Sequence, residues 1–218
     1  MKKKAFLALG LAVIAAFLVL GFTVNRYRWS ESQSSSAFPI EASRMSEEER
    51  EITKTIIEAY RQLEYVMLTF DTSKLSTAFV DDPRFPLRNE LHKEVELAFG
   101  GVPQGAGYLT FMKAWYGNWE RGAKLLEEAW ERAQREGKEI GPEELKRLEE
   151  ELGFTPAFRR TEPMPTGWEN WFRFYEFEIH GDVAMCLYND GGSLRRAFLV
   201  KKGGKWYIAD LVLLEVHA

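Results

Sequence analysis

Two hydrophobic periods divide the chain. Ile52, Ile56, Ala59, Tyr60, Leu63, Val66 and Met67 recur at three- and four-residue intervals, the spacing of a helix that buries one face. Ser46-Glu47-Glu48-Glu49 ahead of them is a capping box, in which the serine accepts from a first-turn amide and Glu49 reaches back to the cap. Asp71 then suits a cap or turn and Asp82-Pro83 a stop, while the apolar stretch 75–80 fits either a strand or a helical turn. Pro86, Leu87, Leu91, Val95 and Phe99 outline a second helix closed by Gly100-Gly101. A long third helix carries Tyr108, Phe111, Met112, Trp115, Trp119, Ala123, Leu126 and Trp130 on one stripe, with Gly117 or Gly122 available for a bend. The helix that opens at Pro142 is so charged that it reads as a solvated face.

From residue 168 the period becomes two. Aromatic and β-branched residues alternate with polar ones, which predicts strands over 171–180, 182–188, 193–201 and 205–216. Their connectors, His180-Gly181-Asp182, Asn189-Asp190-Gly191-Gly192 and Gly203-Gly204, have the chemistry of tight antiparallel turns. Helices followed by a meander predict an α+β domain, with helices packed on one face of a strongly curved antiparallel sheet.

Ahead of that domain, three lysines precede an uncharged run of twenty residues, 5–24. As a helix rising ~1.5 Å per residue, the run would cover the ~30 Å of a bilayer's hydrocarbon. The lysines hold its short end in the cytoplasm, which sends the remainder across the membrane. A cleaved signal peptide begins the same way, but 18–22 offers no small-x-small site, so an uncleaved single-pass anchor in the cell membrane is favoured over secretion after cleavage. Arg26 and Arg28 suit lipid headgroups, and Tyr27 and Trp29 the aromatic belt. The serine run that follows packs nothing and reads as a flexible tether. The expected division is an anchor at 1–24, a linker at 25–45 and a domain at 46–218.

Charge sharpens this picture. Residues 1–28 hold five basic groups and no acid, so the remainder carries 24 basic against 33 acidic groups, a balance of −9. A body that acidic repels phosphate backbones, which argues against nucleic acid as partner. Cys186 is the sole cysteine, so no intrachain disulfide or tetrathiolate zinc site can form, and its apolar strand suits a buried hydrophobe better than a reactive thiol. His92, His180 and His217 lack the paired spacing of metal ligands; His180 with Asp182 could supply two, but no metal or cofactor is expected. Gly-x-Ser-x-Gly and phosphate-loop motifs are missing.

The capped first helix with EAYRQLEYVMLTFDTSKLSTAFVDDP and the finish DVAMCLYNDGGSLRRAFLVKKGGKWYIADLVLLEV resemble the nuclear-transport-factor-two-like superfamily, which also houses ketosteroid isomerase and polyketide cyclases. The resemblance covers about half the chain. It implies a cystatin-like cone of helices against a bent sheet, and in its enzymes an acid or tyrosine on the inner wall. Asp210 is the best candidate for that acid. Sharing a face with Trp206, Ile208, Val212 and Leu214, it would oppose Ala197 across a two-residue turn or Arg196 across a three-residue loop, so Arg195 or Arg196 comes within reach. Ion pairing lowers a carboxyl pKa and spoils a general base, and the pairing reading is preferred here. Tyr60, Asp71, Trp115, Trp119 and Tyr175 are the other candidates for a ligand-binding lining, and Trp115 and Trp119 could equally plug the cone. The resulting expectation is a tethered extracytoplasmic domain that binds a protein or a small apolar ligand without catalysis. The alternative is an isomerase, cyclase or hydratase with Asp210 as general base and Tyr60 or Tyr116 as donor to an oxyanion.

Overall fold

The computed structural model describes residues 38–216. Helix α1, Glu47–Thr69, begins at the expected capping box: Glu49 N donates to Ser46 Oγ at 3.2 Å and Ser46 N to Glu49 Oε2 at 2.6 Å. It ends where Phe70 turns left-handed at φ 59°, its amide donating to Val66 O at 2.7 Å. Asp71 accepts from Ser73 N at 3.0 Å and starts a 3-10 turn, Thr72–Thr77. The stretch 75–80 is thus part helical turn and part strand, because Phe79 then forms a parallel bridge to Ile208.

Helix α2 is His92–Phe99 and α3 is Tyr108–Arg135. The second helix starts later than Pro86, after a 3-10 turn over Asn89–Leu91. Asp81 holds the start of α3, accepting from Thr110 N at 3.0 Å and Thr110 Oγ1 at 2.5 Å. Gly107 permits this approach, since a Cβ there would sit 2.8 Å from Asp81 Oδ1. Asn118, buried, donates to Glu94 O at 2.9 Å and fastens α3 to α2. Helix α4, Pro142–Leu152, leans on the far part of α3 through Leu126, Ala129 and Leu148. Trp130, expected on the buried stripe, is half exposed, although Leu126 and Ala129 of the same helix are buried against Leu148.

The sheet is curved and open. Strands β1, Arg173–His180, β2, Val183–Asn189, β3, Ser193–Lys202, and β4, Lys205–Val216, are antiparallel in the order β1-β2-β3-β4. Trp171, expected in the first strand, belongs to a 3-10 turn, Trp168–Trp171. The ladder skips one residue at Tyr175, at Ala209 and at Leu214, and such bulges sharpen local bend and twist. Helices α1 and α3 press Ile52, Ile56, Phe111, Met112 and Tyr116 onto Tyr188, Leu199, Trp206 and Ile208 of one sheet face. Met185, Leu187, Phe198, Val200 and Ala209 form a second cluster on the other face, joined by Phe85. The result is an α+β fold of helices on a curved four-stranded antiparallel sheet.

Packing also reaches upstream of the expected domain start: Ile40 N donates to Phe174 O at 2.7 Å and Met45 is buried in the main core. The expected membrane segment at 5–24, the serine tether and His217 lie outside the described residues. Among the described residues no helix is long and apolar enough to cross a membrane.

Candidate functional site

Asp210 sits just past the bulge at Ala209, and the bulge decides its surroundings. The Lys202–Lys205 pair closes the expected two-residue turn, but the extra residue on β4 sets Asp210 opposite Phe198, not Ala197 or Arg196. It also breaks the alternation: Leu211 joins Trp206 and Ile208 in the main core, while Val212 packs in the cluster on the other face. The expectation that Asp210 shares one face with Trp206 and Ile208 therefore fails; opposite Phe198, it stays in step with Val212 two residues on.

The partner of Asp210 is an arginine from elsewhere. Arg88, in the segment before α2, places Nε 3.2 Å from Asp210 Oδ2, with side-chain exposures of 12% and 13%. The same guanidinium contacts Glu90 Oε1 at 3.0 Å and donates to Leu211 O at 3.1 Å. The carboxylate's other oxygen accepts from Leu211 N at 2.9 Å. Burial raises the Asp210 pKa above the ordinary carboxyl range, and the Arg88 charge and the Leu211 amide oppose that rise. Tyr108, buried nearby, has its hydroxyl pushed up to about 12 by burial and by the negative charge of Asp210. Arg88 and Asp210 form the ion pair here, and the charges of both act on the Tyr108 hydroxyl.

Arg195 and Arg196 do not reach Asp210. Arg195 forms an ion pair with Asp190 at the start of the β2–β3 turn. Tyr60 donates to Asp190 Oδ2 at 2.9 Å and lies 3.1 Å from the Tyr188 hydroxyl. Asp190 also accepts from Ser193 N at 2.9 Å and Gly192 N at 3.3 Å. Burial drives both tyrosine pKa values well upward, so neither ionises near neutral pH. Arg196 pairs in register with Leu187 and Val212 on the other face, where its buried Nε has no hydrogen-bond partner among the described residues.

The remaining candidates scatter. Asp71 is half-buried at the end of α1, with Tyr65 Oη 3.1 Å away and a pKa lowered chiefly by its bonds to Ser73. Tyr116 is buried in the core and raised in pKa by that burial. Trp119 stacks on Tyr116 with centroids 5.8 Å apart and donates to Ala157 O at 3.2 Å. Trp115 lies tilted against Phe111 with centroids 6.1 Å apart, and Tyr175 packs in the second cluster across the sheet. These side chains do not converge on one pocket. A surface hollow of about 170 Å³ is lined instead by Lys54, Thr55, Glu58, Thr77, Ala78 and Lys205.

Asp182 pairs with Arg84 at 2.8 Å, so the turn at His180 presents no free two-ligand set, and among the described residues no three His, Cys, Asp or Glu side chains gather as a metal would require. Cys186 is fully buried, and burial pushes its thiol pKa well up. Sequence reasoning missed Arg88 because it stands outside any periodic stretch, and nothing in the order of residues ties it to an acid at the other end of the chain. Tyr108 was visible only as a core residue. No family description, curated protein or solved structure matches this chain.

Proposed function

We propose that the chain is a non-catalytic, extracytoplasmic binding domain with a nuclear-transport-factor-two-like cone fold, held to the cell membrane by one segment at 5–24. It acts by binding a protein or a small apolar ligand. The observation that carries the non-catalytic part is the Arg88–Asp210 ion pair: Arg88 Nε engages Oδ2 and the Leu211 amide engages Oδ1, so both oxygens of the acid are already committed within the chain. The capped α1 against a bulged four-stranded meander supports the cone reading. The three lysines before twenty uncharged residues support the anchor.

One observation favours the enzyme alternative: burial raises the Asp210 pKa despite its arginine, with the hydroxyl of Tyr108 close to its charge. That reading makes Tyr108 the hydrogen-bond donor in place of Tyr60 or Tyr116. Planar cyclic ketones that raise the melting temperature of the protein but not of Asp210→Asn would support it.

The location is tested with a cysteine placed at Lys138, whose side chain is 71% exposed. Buried Cys186 stays silent to thiol reagents. In intact cells a membrane-impermeant maleimide labels Lys138→Cys without detergent, and the chain stays with the membranes through an alkaline carbonate wash. Labelling only after lysis overturns the extracytoplasmic assignment, and release by carbonate overturns the anchor.

A further inference from the structure

We propose that the end of the sheet where the described chain begins rests on the bilayer surface, with Phe38, Trp171 and Leu214 seated among the lipid headgroups. The inference rests on the tethered reading above and adds an orientation to it. These three are large apolar side chains left open, with exposures of 91%, 47% and 42%. The topology gathers them at one end. The bond from Ile40 N to Phe174 O puts Phe38 beside the start of β1, and Trp171 closes the turn just before that strand. Arg173 pairs with Asn189 and Ser193 with Val216, so the start of β1, the β2–β3 turn and the end of β4 form a single rim that includes Leu214.

Trp171 is propped on the turn itself. A Cβ at Gly191 would fall 2.9 Å from Trp171 Cβ, and Gly191 has φ +95°, so both space and conformation reserve that position for glycine. Four strands ~4.8 Å apart make a rim ~14 Å wide, enough to lie against headgroups rather than fit a narrow groove. Two charge pairs flank it, Arg195 with Asp190 and Arg61 with Glu169 at 3.3 Å, and exposed Arg173 and Glu215 add one charge of each sign. A rim that presents aromatic rings and balanced charges suits a zwitterionic interface, where tryptophan and phenylalanine rings find both apolar chains and water. The rest of the domain, with its acidic balance, faces away.

Length of chain fixes the reach. Trp29 belongs to the expected aromatic belt, and eight residues, 30–37, separate it from Phe38. At most ~3.6 Å per residue, the nine steps from Trp29 to Phe38 span no more than ~32 Å. Phe38 therefore cannot leave the neighbourhood of the membrane, and a tether that short raises the local concentration of lipid so far that a modest apolar contact suffices.

The full chain reconstituted in phosphatidylcholine vesicles that contain lipid spin-labelled near the headgroup tests this. A fluorophore is attached at Glu215→Cys, on the rim, or at His180→Cys, whose side chain is 68% exposed at the opposite end of β1. The spin label quenches the Glu215→Cys fluorophore and spares the His180→Cys one. Adding Phe38→Ser and Trp171→Ser to Glu215→Cys abolishes that quenching while the chain stays with the vesicles and keeps its far-UV circular dichroism. Equal quenching at both positions in a retained chain overturns the proposal, as does a protein partner covering this rim in place of lipid, and either leaves the anchor intact. A chain that elutes apart from the vesicles overturns the tethered reading and the orientation with it, and retention is scored separately from quenching.

Discussion

Arg88 Nε stands 3.2 Å from Asp210 Oδ2, and the same guanidinium donates to the carbonyl of Leu211, the residue after the acid, at 3.1 Å. One side chain thereby holds both the charge and the backbone of the bulged part of β4. Taking away Arg88 leaves a largely buried carboxylate without a counter-charge, and losses of this kind run to about 3 kcal/mol. Because the Asp210 pKa is already raised, its folded form binds a proton more readily than the unfolded chain. Its contribution is fully present below the unfolded pKa and is lost as pH rises through the folded one. Arg88→Met moves that folded pKa further up. The variant is therefore expected to be clearly destabilised in urea at pH 7 and much less so near pH 4. A pH-independent loss would show that Arg88 acts through packing alone.

Asp82 behaves in the opposite sense. It is buried, with Arg84 Nε at 2.8 Å and Lys202 Nζ at 3.2 Å. The Arg84 hydrogen bonds, partly offset by burial, bring its pKa from 3.8 to about 2. Its stabilisation is complete above the unfolded pKa and disappears as pH falls through about 2, and a shift of this size is worth roughly 2 kcal/mol. Asp82→Asn is expected to lose about that much at pH 7. Its acid limb between pH ~4 and ~2 should be flatter than that of the unaltered protein, as read from thermal melts across that range.

Sequence legibility stops where a single residue resets the geometry. The cap at Ser46 and the limits of β4 at Lys205 and Val216 were readable, because both are local: a side chain that reaches three residues away, and an alternation bounded by Gly203-Gly204. The bulge at Ala209 leaves no mark in Trp206 to Leu214, since an inserted residue in an apolar strand looks like one more hydrophobe. It nevertheless moves Asp210 from opposite Ala197 to opposite Phe198. Arg195 was read as a possible partner of Asp210 because it lies on the neighbouring strand. The side chain turns instead to Asp190 five residues before it, an acid whose turn position gave no hint of burial. Trp130 is a similar case: its spacing suits the stripe, yet Ala129 beside it is buried and Trp130 itself is half exposed.

The Asp190 cluster predicts a graded mutational series. Asp190 accepts from Arg195, Tyr60, Ser193 N and Gly192 N. Tyr60→Phe removes one hydroxyl, leaves the other three donors served and takes a partner from the buried Tyr188 hydroxyl, which costs about 1–2 kcal/mol. Asp190→Ala strands a mostly buried guanidinium and opens the turn, at about 3–5 kcal/mol. Urea unfolding with intrinsic fluorescence measures both, and equal costs would mean that the hydroxyl, not the ion pair, holds the turn.

Two glycines of α3 give the same substitution opposite signs. An alanine in a helix interior is favoured over glycine by roughly 0.8–1.0 kcal/mol when nothing else changes. At Gly117 the position is exposed and an added Cβ meets no atom within 4 Å, so Gly117→Ala is expected to stabilise by about 0.5–1 kcal/mol. At Gly122, which is buried, the Cβ would lie 2.9 Å from Phe154 Cε2, 3.2 Å from Phe154 Cζ and 3.4 Å from Pro156 Cβ. The Phe154 ring must tilt off α3, and overpacking of this kind costs about 1–3 kcal/mol, more than the helix gains. Gly122→Ala should therefore lower the melting temperature while Gly117→Ala raises it. Stabilisation by both would show that residues 153–157 do not bear on α3 as tightly as these distances require.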